Sequence, residues 1–121
     1  MELTPLVQPG RQIIERYGPS GFRVSGTVYL GPVLVFPDRT VAWEAAAMTD
    51  EGLAPVVEHG GVELLLLGLG RHMAPVPTAL RAAFKARGIA LEAMETGAAC
   101  RTYNVLLAED RRVAAALLPP V

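Results

Sequence analysis

Four consecutive leucines, Leu64–Leu67, follow Glu63 without polar alternation, and Gly68-Leu69-Gly70 closes the run. A strand with one wet face alternates apolar and polar residues, so a strand made from this segment must be covered on both faces. The run is far shorter than the roughly 20 residues that a membrane-crossing helix needs. It therefore demands a layered α/β structure, in which helices lie on either side of a sheet.

The residues after it supply the remaining layers. In PVPTALRAAFKARG, Val76, Leu80, Ala83 and Phe84 fall on one side of a helix that begins at Pro75 or Pro77 and closes at Gly88. IALEAME reads as a second strand, TGAACRTYNVLLA as a second helix, and VAAALLP as a last buried strand before Pro119 and Pro120. The order from residue 62 is strand, helix, strand, helix, strand. Helical crossovers favour parallel neighbours with right-handed connections for the first pair and leave the direction of the last strand open.

The N-terminal third has a different texture. Residues 1–10 hold Pro5, Pro9 and Gly10 with little periodicity and read as a flexible arm, leaving 11–121 as one domain. Short apolar runs broken by turn signals predict antiparallel strands near 12–17, 22–25, 27–30, 33–36 and 40–44. Ser25-Gly26 suits a two-residue hairpin, and Pro37-Asp38 suits the centre of a turn. EGLAPVVEH, after Thr49-Asp50 as candidate caps, reads as a short helix ended by Gly60-Gly61. The expected architecture is a three-layer α/β domain: a mixed central sheet flanked by helices, with an additional small antiparallel β layer from the N-terminal third.

Composition narrows the partners. Eleven Lys and Arg against twelve Asp and Glu leave no basic surplus to attract nucleic acid. The start has neither a basic leader nor a long apolar run, so the expectation is a cytoplasmic protein without direct membrane insertion. One cysteine makes no internal disulfide, and with two histidines it offers no zinc spacing, so neither metal nor cofactor is expected.

Ligands of open α/β sheets collect where strands end and helices begin. Two loops qualify, 68–75 and 95–101. Gly68 and Gly70 permit close backbone approach and Arg71 can hold a carboxylate or phosphate, although the same glycines also serve a tight turn; the full GxGxxG pattern is absent. Thr96, Arg101 and Asn104 can face the same crevice. Cys100, in the first turns of a helix, has its thiol near the positive end of the dipole. Helical phase, however, groups Ala99, Cys100, Tyr103, Leu106 and Leu107 on one apolar arc, and no histidine is placed to take a thiol proton. No catalytic residue is assigned. His59 is expected to satisfy carbonyls at a helix end, His72 to be solvated, Trp43 to anchor the N-terminal layer, and Glu109 to pair with Arg111 or Arg112.

LLLLGLG, ARGIALEAMETGAACRTYNVLLAEDRRVAAALLPP and YGPSGFRVSGTVYLGPVLVFPDRTVAW together resemble the Mth-domain family, from Arg11 to Pro120 and most closely over 86–118. That family includes the mitochondrial complex I assembly factor 3 and adipogenesis-associated Mth-domain proteins. The resemblance implies the layered fold derived above and, by analogy, a role in assembling respiratory or other membrane complexes through protein partners, such as membrane-complex subunits, with no established catalytic mechanism. The alternative is a small anionic ligand, or a reaction, in the crevice between 68–75 and 95–101.

Overall fold

The computed structural model describes residues 10–120. The expected N-terminal arm, save Gly10, lies outside the described residues. Eight strands and three helices follow in the order β1 (Ile14–Gly18), β2 (Gly21–Val24), β3 (Thr27–Leu30), β4 (Val33–Val35), β5 (Thr40–Ala42), α1 (Ala54–His59), β6 (Leu64–Leu69), α2 (Thr78–Ala86), β7 (Ala90–Met94), α3 (Thr96–Ala108) and β8 (Val113–Leu118).

The leucine run is the middle of the larger sheet, whose strand order is β5-β4-β8-β6-β7. β6 pairs in parallel with β7 on one side and β8 on the other, which settles the direction of the last strand. Its side chains divide between two cores. Leu65 and Leu67 meet Val56 of α1 and Leu80 and Phe84 of α2, whereas Leu66 meets Ala99, Cys100, Tyr103 and Leu107 of α3. Both faces are dry, as the missing alternation required. Ala114, Ala115 and Ala116 of β8 are buried as well; Ala115 faces the core under α3 and Ala114 and Ala116 the core under α1 and α2, so small side chains let helices approach on both faces.

One expectation is corrected by the pairing. Only β1, β2 and β3 form the separate antiparallel sheet; β4 and β5 join the larger sheet, β4 running antiparallel to β8. Val33, Leu34 and Val35 are all buried, so β4 has a core on each face and belongs inside a covered sheet. Trp43 moves with it. Its ring is buried in the core under α1 and its Nε1–H donates to the Gly52 carbonyl at 2.8 Å, so it anchors the larger sheet and not the small layer. The helix expected over 51–59 begins at Ala54, because Thr49 Oγ1 accepts from Gly52 N–H and holds the preceding residues in a turn.

The small sheet packs through Ile14, Phe22 and Val24 on the same core as α3. Ser25 and Gly26 both have positive φ, 44° and 85°, the backbone of a two-residue turn whose twist matches the strands it joins. α3 thus lies between the larger sheet and the strands of the smaller one.

Candidate functional site

The two loops expected to frame a crevice meet each other directly. Thr96, the first residue of α3, is fully buried; its N–H donates to the Gly70 carbonyl at 3.0 Å, and its Oγ1 accepts from Gly70 N–H at 2.7 Å. The same hydroxyl donates to the Leu118 carbonyl at 2.6 Å. One side chain therefore ties the ends of β6 and β8 to the start of α3. Gly70 has a φ of +75°, which favours glycine at the turn. Gly68 has a different reason: a Cβ there would sit 2.8 Å from Leu117 Cδ2 and 3.2 Å from Thr96 Cα, so a side chain would need Leu117 to move and the helix start to give way by a few tenths of an ångström.

The other candidates are placed as follows. Arg71 is exposed in the loop after β6. Arg101 is exposed on α3 and its Nη1 donates to Tyr17 Oη at 3.1 Å. Glu95 accepts from Ala98 N–H and caps α3. Cys100 is wholly buried, and loss of hydration pushes its thiol from 9.0 up to about 12. Asn104 is buried too. Its Oδ1 accepts from Ile14 N–H at 3.1 Å and its Nδ2 donates to the Ile14 carbonyl at 2.8 Å. The structure brings Gly68, Gly70 and Thr96 together and sets Asn104 against β1.

Charges at the opposite end of the larger sheet pair differently from the expectation. Arg111 and Arg112 both reach Glu63, at 3.5 and 3.3 Å, and not Glu109. His59 stacks on Phe36 with ring centroids 4.1 Å apart and puts Nε2 2.6 Å from Asp38 Oδ1, a contact that lowers the Asp38 pKa. Asp38, His59, Arg111 and Arg112 line a cleft of about 300 Å³ with Arg11 and Asp110. Among the described residues, no group of three or more His, Cys, Asp or Glu side chains could hold a metal ion, and no helix is long and apolar enough to cross a membrane.

The outer face of the small sheet was not singled out by sequence reasoning. Phe22 and Val24 point into the core, so on β3 the register turns Val28, opposite Arg23, and Leu30, opposite Gly21, the other way. Val28 is 63% exposed and Leu30 78%. With Arg16 and Arg23 they border a shallow cleft of about 230 Å³, and Arg23 Nε pairs with Glu15 Oε1 at 3.3 Å. The alternation Thr-Val-Tyr-Leu placed Val28 and Leu30 on a common face; which face was buried depended on β2.

Comparison with known proteins follows this fold. The family model described as "Protein of unknown function (DUF498/DUF598)" matches residues 14–118. The chain belongs to this family. Among DUF498/DUF598 relatives, an "Uncharacterized protein" of Rhodobacter capsulatus is 42% identical over 88% of this chain and 83% of its own length. The "NADH dehydrogenase [ubiquinone] 1 alpha subcomplex assembly factor 3" of Danio rerio is 33% identical over 89% of this chain, and that of Homo sapiens 31% over 88%. The matches span 64% and 60% of those two proteins. A solved structure titled as an outer membrane protein from Bartonella henselae is 38% identical with a TM-score of 0.81, covering 92% of this chain and 97% of its own. A Mth938-like domain from Bordetella pertussis is 28% identical with a TM-score of 0.77, covering 99% and 93%.

Proposed function

We propose that this DUF498/DUF598 protein is a non-enzymatic interaction module that helps assemble a multi-subunit complex, a respiratory or other membrane complex being the leading client. The observation that carries the reading is the apolar pair on β3: Val28 and Leu30 stand exposed on a sheet face outside both cores, beside two arginines. Solvated apolar side chains gathered on one face are a feature of surfaces that bind another protein. The relationship to proteins called assembly factors supports the same class of role.

The groups that sequence reasoning offered to a small ligand also support it indirectly. The Thr96 hydroxyl and the Asn104 amide are engaged by the protein's own backbone, and the Cys100 thiol is buried. The test is disruption of the gene in its source cell, followed by native-gel quantification of the assembled respiratory NADH dehydrogenase and of its partly assembled forms. The expected result is loss of the complete complex with accumulation of smaller species. Unchanged amounts of every membrane complex would remove the assembly role.

A further inference from the structure

The cleft of about 300 Å³ at the end of the larger sheet opposite Thr96 gathers three arginines from two distant stretches of chain. Arg11 comes from the residues before β1, and Arg111 and Arg112 from the loop between α3 and β8. Their charges are incompletely balanced. Arg111 Nε and Arg112 Nη2 both lean on the one carboxylate of Glu63, at 3.5 and 3.3 Å. Two guanidiniums on one carboxylate leave a unit of positive charge over. Arg11 has Asp110 as its partner at 3.4 Å, and Asp38 has His59. The His59 ring faces acceptors at both nitrogens, the Gly60 carbonyl at 2.8 Å and Asp38 Oδ1 at 2.6 Å. A ring that donates to both carries the charge that balances Asp38, so the surplus stays with the arginines.

The hydrogen bonding is incomplete as well. A guanidinium offers several N–H donors, and the three arginine contacts above are longer than the usual range of about 2.7–3.2 Å. The Arg111 and Arg112 side chains stay 49% and 69% exposed. Arg11 Nε is buried and has no hydrogen-bond partner. A buried donor without an acceptor is costly, and a ligand oxygen reached as the guanidinium turns from Asp110 would relieve it. Away from the charged groups, Pro37, Val62 and Val113 give the cleft an apolar part.

We propose that this cleft binds a monocarboxylate with a short apolar tail, the carboxylate lying among Arg11, Arg111 and Arg112 and the tail against Pro37, Val62 and Val113. A planar carboxylate accepts in pairs from the fork of a guanidinium, and its single charge matches the surplus. Burial of the tail supplies free energy that a bare inorganic anion lacks. Asp110 is the competitor, because this carboxylate of the protein's own holds Arg11 where the ligand's would. The site is separate from the exposed strand β3 on which the assembly reading rests, so either can fail alone.

A free acid and the last residue of a polypeptide both present this group, and the probes separate them. They are hexanoate and an acetylated Gly-Ser-Leu tripeptide with its C-terminus free; hexanol and the amidated tripeptide are the uncharged controls. Titrations of the full chain are followed by the NMR shifts of the backbone amides of residues 59–62 and 110–113. At least one acid is expected to saturate these shifts by about 10 mM, a weak limit suited to a minimal probe, and the tighter acid names the source. The uncharged controls are expected not to. Arg112→Gln is expected to weaken the tighter acid by about tenfold, and Arg11→Gln by at least as much. The thermal unfolding midpoint reports whether each variant folds, and Arg112→Gln, at an exposed position, carries the test if Arg11→Gln does not. Asp110→Asn keeps a residue that tolerates the φ of +59° and removes the competing charge; it is expected to tighten binding by about threefold, the scale of an exposed ion pair. No saturation by either acid, equal binding of an uncharged control, an affinity unmoved by Arg112→Gln, or one weakened by Asp110→Asn overturns the proposal. Tighter binding of hexyl phosphate than of hexanoate overturns it too, because a phosphate would then be the better match.

Discussion

β1 and β3 are the two edges of one three-stranded sheet, only eight residues apart in the chain, and they end up in opposite environments. β1 lies against α3, where the Asn104 amide takes both the N–H and the C=O of Ile14, and where the Tyr103 hydroxyl donates to the Gln12 carbonyl at 3.1 Å. β3 lies on the far side of β2 with two apolar side chains in solvent. A buried backbone needs its hydrogen bonds made inside the protein, so the covered edge received a polar side chain from a helix. The bare edge can leave its groups to water or to a partner. The difference teaches that a single edge strand has no intrinsic fate; what packs beside it decides.

That contrast can be broken most severely at Cys100, on the covered side of α3. With its thiol raised from 9.0 to about 12, its thiolate fraction at pH 8 is lower by about a thousandfold than in the unfolded chain. Labelling by a thiol reagent is therefore expected to stay slow until denaturant unfolds the protein; rapid labelling of the native state would mean that the covered face opens. The sign for stability follows. The folded thiol stays neutral while the unfolded one ionises, so this group lowers stability as pH rises above about 9 and is silent below it.

Removing the cover itself comes next. Asn104→Leu keeps the volume and leaves the Ile14 N–H and C=O without partners, at a cost of about 3 kcal/mol; urea unfolding that moves by less than about 0.5 kcal/mol would show that water serves β1 as well as the amide does. Thr96→Val extends the comparison to the mouth of the larger sheet. It deletes the hydroxyl shared by Gly70 N–H and the Leu118 carbonyl without changing shape, and is expected to lose about 2 kcal/mol, read in the same urea titration. The smallest effect belongs to the bare edge. Leu30→Lys is expected to leave stability within about 0.5 kcal/mol of the original, and a larger loss would mean that β3 is already packed against something in the folded chain.

Much of this was legible in the residues because it rests on local periodicity. LLLLGLG required cover on both faces, the apolar arc of Cys100, Tyr103 and Leu107 turned inward, and Ser25-Gly26 made the hairpin turn. The membership of β4 was not legible: Val33–Val35 has the length and composition of any short strand, and only its pairing with β8, some 80 residues away, places it in the larger sheet. The partner of Arg111 and Arg112 was missed for the same reason, since Glu63 is distant in sequence while Glu109 is near.

The sequence by itself determined the layered α/β class, the order of its elements and the inward faces of α2 and α3, because these depend on the spacing of apolar side chains along a few turns or one strand. Only the tertiary structure decided how the strands divide between two sheets, that Thr96 and Asn104 serve the backbone of distant segments, and that Val28 and Leu30 face outward on the edge strand of the small sheet. Those outcomes depend on which segments become neighbours, and pairing between residues far apart in the chain leaves no periodic trace in either one.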